Sequence, residues 1–369
     1  MPSSKLNKMP RIYVSAAMRG GSTLVSNILN AHSKVQIIEN FHFQRFLYKK
    51  NEVLNKKKVE FRIREMGLRL GIRFNIKINE KNVLKEIFKG KLSHKNIYDC
   101  LIKEQLKINP SLKIIGEDSA LNWRFIEIFC KMYKNAKVIQ LIRDPRSIFA
   151  SWKKITYQKK DYWGCIFNCI DNMNYGKYLS KKLSKKNYMC LRFEDILTDP
   201  NLYAKKIAKF INIKFEPNMT KPEKWEKIFK NKYASLGFSS IEKKSVNGFF
   251  TNRIDSWKRE LSSNEIKIVE YFAKKNLKQF NYELSNKTIK KIDLKNFLKK
   301  KIDKSNYLKK NFSTLLKTGH GTDLLSTDPT DPKTWGDGKQ NKKKFIESSD
   351  GKKYMQEIKK IKKDIYKEI

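Results

Sequence analysis

The sequence predicts an α/β protein: a parallel sheet flanked by helices, with a P-loop-like strand–turn–helix near its start, a helical insertion and a C-terminal extension. Three observations carry this. Residues 11–31 read RIYVSAAMRGGSTLVSNILNA: a β-branched and aromatic run, a glycine turn, then Leu24, Val25, Ile28 and Leu29 at helical spacing. Residues 137–142, KVIQLI, are nearly all apolar, as a strand at the centre of a parallel sheet must be. Strand and helix patterns then alternate as far as residue 211, which implies parallel crossovers.

Taken in order, the first strand is expected around Ile12, Tyr13 and Val14, and the first helix behind the glycine turn. A second strand is expected over residues 35–38, ending at Glu39-Asn40. Residues 41–107 are lysine-rich with helical apolar spacing (Val83, Leu84, Ile87, Phe88) and read as a helical insertion that caps the substrate side. A brief strand over 113–116 and a helix over 122–133 follow. After KVIQLI, Pro145 sits in the first turn of a helix, where its missing N–H costs nothing. A helix over 161–183, a strand over 188–192, a loop starting at Glu194-Asp195 and a helix over 203–211 complete the alternation. Gly237, Ser239, Ser240, Asn247, Gly248 and Asn252 mark residues 235–255 as a mobile loop, and a helix over 263–277 closes the domain at 284. Residues 285–369 form a lysine-rich extension, partly helical, whose last stretch places Ile358, Ile361 and Ile365 on one face. We expect it to serve packing or homo-oligomerisation.

The 369 residues carry 81 Lys+Arg against 37 Asp+Glu, a formal net charge of +44. Such a balance favours anionic partners: nucleotides, acidic glycans or the surface of an anionic membrane. The lysines are spread along the whole chain instead of forming one basic arm, so nucleic acid is not expected as the partner. Five cysteines lack any CxxC pair and sit among apolar residues, which suits reduced, buried thiols and no metal. The start, MPSSKLNKMP, has no apolar core of a secretory signal, and no run is long enough to span a bilayer; a cytoplasmic protein is expected.

The turn Met18-Arg19-Gly20-Gly21-Ser22-Thr23 is where chemistry is expected. The first backbone N–H groups of the helix, around Ser22, Thr23 and Leu24, point at it, and the helix dipole adds to them, so an anion belongs there. A nucleotide triphosphatase would need a lysine just before Ser22; Gly21 stands there instead, and Arg19 supplies a planar cation suited to a tetrahedral oxyanion. The plainer alternative is an ordinary tight turn with a solvated arginine. Two further stretches decide against it. In KVIQLIRDPRSIFASW, Arg143 ends a strand and Ser151 lies two turns along the next helix, so both can converge on one phosphate at the carboxyl edge of the sheet, where Arg19 also lies. In VNGFFTNRIDSWKREL, Arg253 and Lys258 flank Trp257 in a loop able to cover a nucleotide.

Together these residues resemble the sulfotransferase family that uses 3'-phosphoadenosine 5'-phosphosulfate (PAPS). RGGSTL is similar to its 5'-phosphosulfate loop, KVIQLIRDPRSIFASW to its 3'-phosphate motif, LRFEDILTDP to its YEDL-type stretch, and the segment around Trp257 and Lys258 to its C-terminal cofactor loop. The likeness spans roughly residues 10–282 and is closer to the carbohydrate and tyrosylprotein branch than to cytosolic small-molecule members. It implies in-line transfer of a sulfuryl group to a hydroxyl or amine, with 3'-phosphoadenosine 5'-phosphate (PAP) as the product and no metal. Arg19 and the loop N–H groups would carry the developing charge, and Glu39, at the end of the second strand, would take the acceptor's proton. The acceptor implied is a glycan or lipid-linked glycan. Two departures stand out: Glu39 is followed by Asn40, not by a second acid, and IIGEDSALNW lacks the lysine many members carry there. His32 and His42 are alternative bases, with His32 expected to end the first helix. A P-loop kinase and a non-catalytic nucleotide- or polyanion-binding protein are the competing readings.

Overall fold

The computed structural model describes residues 9–39, 53–74, 78–108, 111–119, 123–155, 162–232 and 249–285, with isolated positions beyond. Asn40, His42, most of the glycine-bearing loop over 235–255 and the Ile358–Ile361–Ile365 face lie outside the described residues.

The chain opens with β1 (Arg11–Ala16), α1 (Ser22–Asn30) and β2 (Val35–Glu39). Three helices follow, α2 (Lys56–Phe74), α3 (Glu80–Lys89) and α4 (His94–Ile108), before β3 (Ile114–Asp118). Then come α5 (Ile126–Met132), β4 (Ala136–Ile142), α6 (Pro145–Ile155), α7 (Cys165–Lys182) and β5 (Tyr188–Arg192). The domain ends with α8 (Phe193–Thr198), α9 (Pro200–Phe210), α10 (Trp225–Lys232), α11 (Trp257–Glu260) and α12 (Ser263–Gln279).

The five strands pair in parallel in the order β2-β3-β1-β4-β5. β1 is fully buried, and its alternating side chains feed two cores: Tyr13 joins one, Ile12 and Val14 the other. Helices α2 to α7 and α12 contribute to the first core, α1, α8, α9 and α10 to the second. Burial on both faces explains why the strands read as continuous apolar runs and not as alternating ones. Because β1 lies between β3 and β4, the connections leave it in both directions, and the crevice between their carboxyl ends is where an open α/β sheet binds ligands.

Two elements differ from the sequence expectation. β3 runs on through Glu117 and Asp118, because β1 pairs it on one side and β2 on the other as far as Glu39 opposite Asp118. Where a loop was predicted after β5, α8 starts at once. It ends where Asp199 accepts the Leu202 N–H at 2.9 Å and, with Pro200 behind it, caps α9. A helix of six residues has too little length for its periodicity to be legible. Among the described residues, no helix is long and apolar enough to cross a membrane.

Candidate active site

The site is built from the carboxyl edge of β1 and β4. After Ala16 the backbone turns back on itself: the Gly20 N–H donates to the Ala17 carbonyl at 2.8 Å, and Arg19 (φ 68°) and Gly21 (φ 97°) both take left-handed conformations. Only glycine fits at 21. Its φ disfavours a side chain, and a Cβ there would sit 2.1 Å from a ring carbon of Phe193. The turn delivers the chain into α1 with no side chain capping the helix, so the N–H groups of Ser22 and Thr23 are left for an anion, whereas the Leu24 N–H, also expected to serve it, already donates to the Gly21 carbonyl at 3.0 Å.

Arg19 Nε donates to Ser151 Oγ at 3.0 Å, joining the turn to α6. Arg143 Nη1 donates to the Arg19 carbonyl at 2.8 Å, joining the turn to the end of β4. The Arg143 guanidinium lies 4.5 Å from the centre of the Phe193 ring, and its Nε is buried without a hydrogen-bond partner among the described residues. Burial pushes the Arg143 pKa down, the Glu194 and Asp144 carboxylates oppose this, and the Arg253 charge adds to the lowering. Arg19, Arg143 and Ser151 are thus joined at one edge by hydrogen bonds, and the charge of Arg253 is felt at Arg143. Gly20, Gly21, Ser22, Thr23 and Leu24 form the turn and helix start beneath them. The donor set suits a phosphate-like anion: an orphaned guanidinium N–H, an uncapped helix start and a glycine cradle.

The other predicted residues are placed differently. The segment bearing Arg253 is docked on α6 by Ser147 Oγ, which donates to the Ile254 carbonyl at 3.1 Å. Trp257 is buried, with the Arg146 guanidinium 3.9 Å from its ring centre. Lys258 is exposed and pairs with Asp255 at 3.1 Å. Glu39 ends β2 in register with Asp118. Asp118 is buried and accepts from Ser26 Oγ of α1 at 3.2 Å, so the stretch that lacks the lysine many family members carry ends β3 with an acid tied to the helix behind the turn. His32 follows α1 and is structural: its Nδ1 accepts the Lys34 N–H at 3.0 Å, which leaves Nε2 to donate to the Lys214 carbonyl at 3.1 Å.

Sequence reasoning missed Phe193 and Glu194 as parts of the site. An aromatic and an acid directly after a strand were the only signal, inside the LRFEDILTDP stretch. The five cysteines are free, and burial raises Cys165 and Cys169 and lifts Cys190 to about 12. Among the described residues, no group of three or more His, Cys, Asp or Glu could hold a metal ion.

With this geometry in view, the comparisons with known proteins are specific. A sequence model of the sulfotransferase family matches residues 10–217, more than half of the chain. Carbohydrate sulfotransferase 3 of Tetronarce californica is 26% identical over 168 residues, 41% of this chain and 36% of that protein. The protein-tyrosine sulfotransferase of Drosophila melanogaster is 21% identical over 244 residues, 64% of this chain and 44% of that protein. Sulfotransferase 2A1 of Macaca fascicularis is 27% identical over 136 residues, 32% and 48% of the two chains. The chain spans half or less of the length of these curated relatives. Among solved structures, the sulfotransferase domain of the Synechococcus PCC 7002 olefin synthase superposes with a TM-score of 0.55 at 15% identity, covering 75% of this chain and 96% of that one. The sulfotransferase domain from the curacin biosynthetic pathway gives 0.50 at 18% identity, covering 75% and 99%. These likenesses show a shared fold.

Proposed function

Because the chain belongs to the sulfotransferase family, we propose that it transfers a sulfuryl group from PAPS to a hydroxyl or amine of a glycan, a lipid-linked glycan or a related acceptor. The observation that carries the reading is the joining of Arg19, Arg143 and Ser151 across two strand ends, with a buried guanidinium N–H left over for an anion. When bound, PAPS supplies the sulfuryl group and leaves as PAP. The chain's part is placement and charge: Arg143, Ser151 and Arg253 hold the 3'-phosphate, while Arg19 and the first N–H groups of α1 hold the phosphosulfate and stabilise charge on its bridging oxygen. Glu39, at the carboxyl end of β2, takes the proton from the acceptor oxygen or nitrogen as the new bond to sulfur forms. A metal has no role in this scheme.

The test is transfer of labelled sulfate from PAPS to a panel of neutral and acidic oligosaccharides and glycolipids, without magnesium. Wild type should label at least one of them, and Glu39→Gln should lower kcat by about 10²- to 10⁴-fold with little change in PAP affinity. Unaltered turnover in Glu39→Gln would move the base elsewhere. PAP binding with no labelling of any acceptor would favour the non-catalytic nucleotide-binding reading, which the acid at Asp118 supports.

A further inference from the structure

We propose that the amino edge of the sheet, opposite the candidate active site, is a docking surface for an anionic membrane. The inference concerns a different face of the molecule and does not depend on the cofactor reading.

In a parallel sheet each connection from a helix back to a strand returns to the amino edge. The described parts of those connections are residues 31–34 before β2, 111–113 before β3, 133–135 before β4 and 183–187 before β5. Residues 211–216 after α9 join them, because His32 Nε2 donates to the Lys214 carbonyl at 3.1 Å. All five stretches carry exposed lysine: Lys34, Lys113, Lys134, Lys185 with Lys186, and Lys214. Against these six stands one carboxylate, Glu216, which accepts the Ser33 N–H at 2.8 Å and O–H at 2.5 Å. Among the described residues none of the six ammonium groups pairs with a carboxylate.

The lysine bias of the whole chain does not explain this placement. The described residues that leave the carboxyl ends of the strands, 17–21, 119 and 143–144, hold no lysine, and their cations are Arg19 and Arg143. Around α6, lysines are met by acids: Lys153 by Glu265 and Lys154 by Glu260. At the amino edge like charges are crowded together instead. Lys137 Nζ donates to the Lys186 carbonyl at 2.6 Å, and Asn187 Nδ2 donates to the carbonyls of Lys134 and Ala136 at 3.2 and 2.9 Å. Burial first, and then the Lys186 charge, lower the Lys137 pKa.

Shape and chemistry select the partner. Five strands at a spacing of about 4.8 Å spread these lysines over roughly 19 Å, across an area and not along a line. The five stretches contain no arginine fork, and their aromatic rings, Tyr133 and Phe215, are buried and half-buried, so nothing there is built to read or stack nucleic acid. An anionic bilayer offers a matching sheet of charge that attracts each lysine near it. Docking in this way holds the carboxyl edge roughly 20 Å from the headgroups, since β4 has seven residues at about 3.3 Å each. That edge, with Arg19 and Arg143, stays open to solvent.

The test is sedimentation of the full chain with phosphatidylcholine vesicles, with and without phosphatidylserine, at low and at high salt. Two triple variants carry the same change in charge. One, Lys134→Glu with Lys185→Glu and Lys186→Glu, alters the amino edge. The other, Lys274→Glu with Lys275→Glu and Lys278→Glu, alters exposed positions towards the end of α12, where the Asn281 carbonyl meets Arg192 at the carboxyl end of β5. Wild type should bind only the vesicles with phosphatidylserine and be released by salt. The edge triple should bind them about 100-fold more weakly, and the α12 triple should stay within about 5-fold of wild type. Urea midpoints near that of wild type show that the variants fold, and Lys→Gln changes at the same positions replace any triple that does not. No binding by wild type would overturn the proposal. An equal loss in both triples would also overturn it, by showing that only total charge counts. Salt-sensitive binding of duplex DNA without binding of vesicles would assign the edge to nucleic acid and overturn it as well.

Discussion

At Gly21 two independent demands meet, a left-handed backbone at φ 97° and a wall made by the Phe193 ring. Gly21→Ala should therefore destabilise the fold by ~1–3 kcal/mol, the usual range for strain at such a position and for overpacking. Urea denaturation of Gly21→Ala, Phe193→Ala and the double variant separates the two demands. The steric part should vanish in the double variant, leaving the backbone part, whereas simple additivity would show that the ring is not the obstacle. Residue types at this scale were legible in the sequence where they carried their own chemistry. Arg19 in its turn, Arg143 at a strand end and Ser151 on the helix that follows could be placed by pattern alone, and the structure links them by hydrogen bonds. Phe193 could not, because its partners lie far off in sequence and an aromatic after a strand is ordinary core material. Trp257, read as part of the lid, has one face covered by Arg146, a contact spanning 111 positions that no local pattern encodes.

At the scale of elements, Arg146 ties α6 to both α11 and α12. It pairs with Asp144 at 2.7 Å and Glu270 at 2.6 Å, and Glu270 in turn accepts the Ser285 N–H and O–H, each at 2.8 Å. Replacing one partner of a buried ionic group leaves the others uncompensated, which typically costs ~3–5 kcal/mol. Arg146→Ala should lose about that much stability in urea and should loosen residues 249–285, seen as faster amide exchange in that segment. A loss below about 1 kcal/mol would mean that the network is idle. The strands were legible because they are apolar on both faces. The sequence missed where β3 ends, since Glu117 and Asp118 look like loop residues until pairing with β1 and β2 is known. The short α8 was hidden for the opposite reason: its start is set by tertiary contacts of Phe193 and Glu194, not by any capping residue.

For the whole molecule, buried charge couples stability to pH with a definite sign. The Glu194 pKa is raised in the fold by burial, so its contribution to stability is fully present below the unfolded carboxylate range and is lost as pH rises through the raised value. The stability difference between Glu194→Gln and wild type should therefore grow in favour of the variant from pH 4 upward and then level off. Parallel stability curves would show that the buried carboxylate is fully compensated in the absence of ligand. The formal net charge of +44 told only of anionic partners in general, whereas the candidate site gathers Arg19 and Arg143 at one edge of the sheet.

Whether this edge is a nucleotide phosphate site is decided by PAP titration of wild type and Arg143→Ala without magnesium. Wild type should bind PAP with micromolar affinity and Arg143→Ala should lose roughly 10- to 100-fold, as for a charged hydrogen-bond partner removed from a phosphate. Binding of ATP with magnesium in place of PAP, or PAP binding indifferent to Arg143, would contradict it.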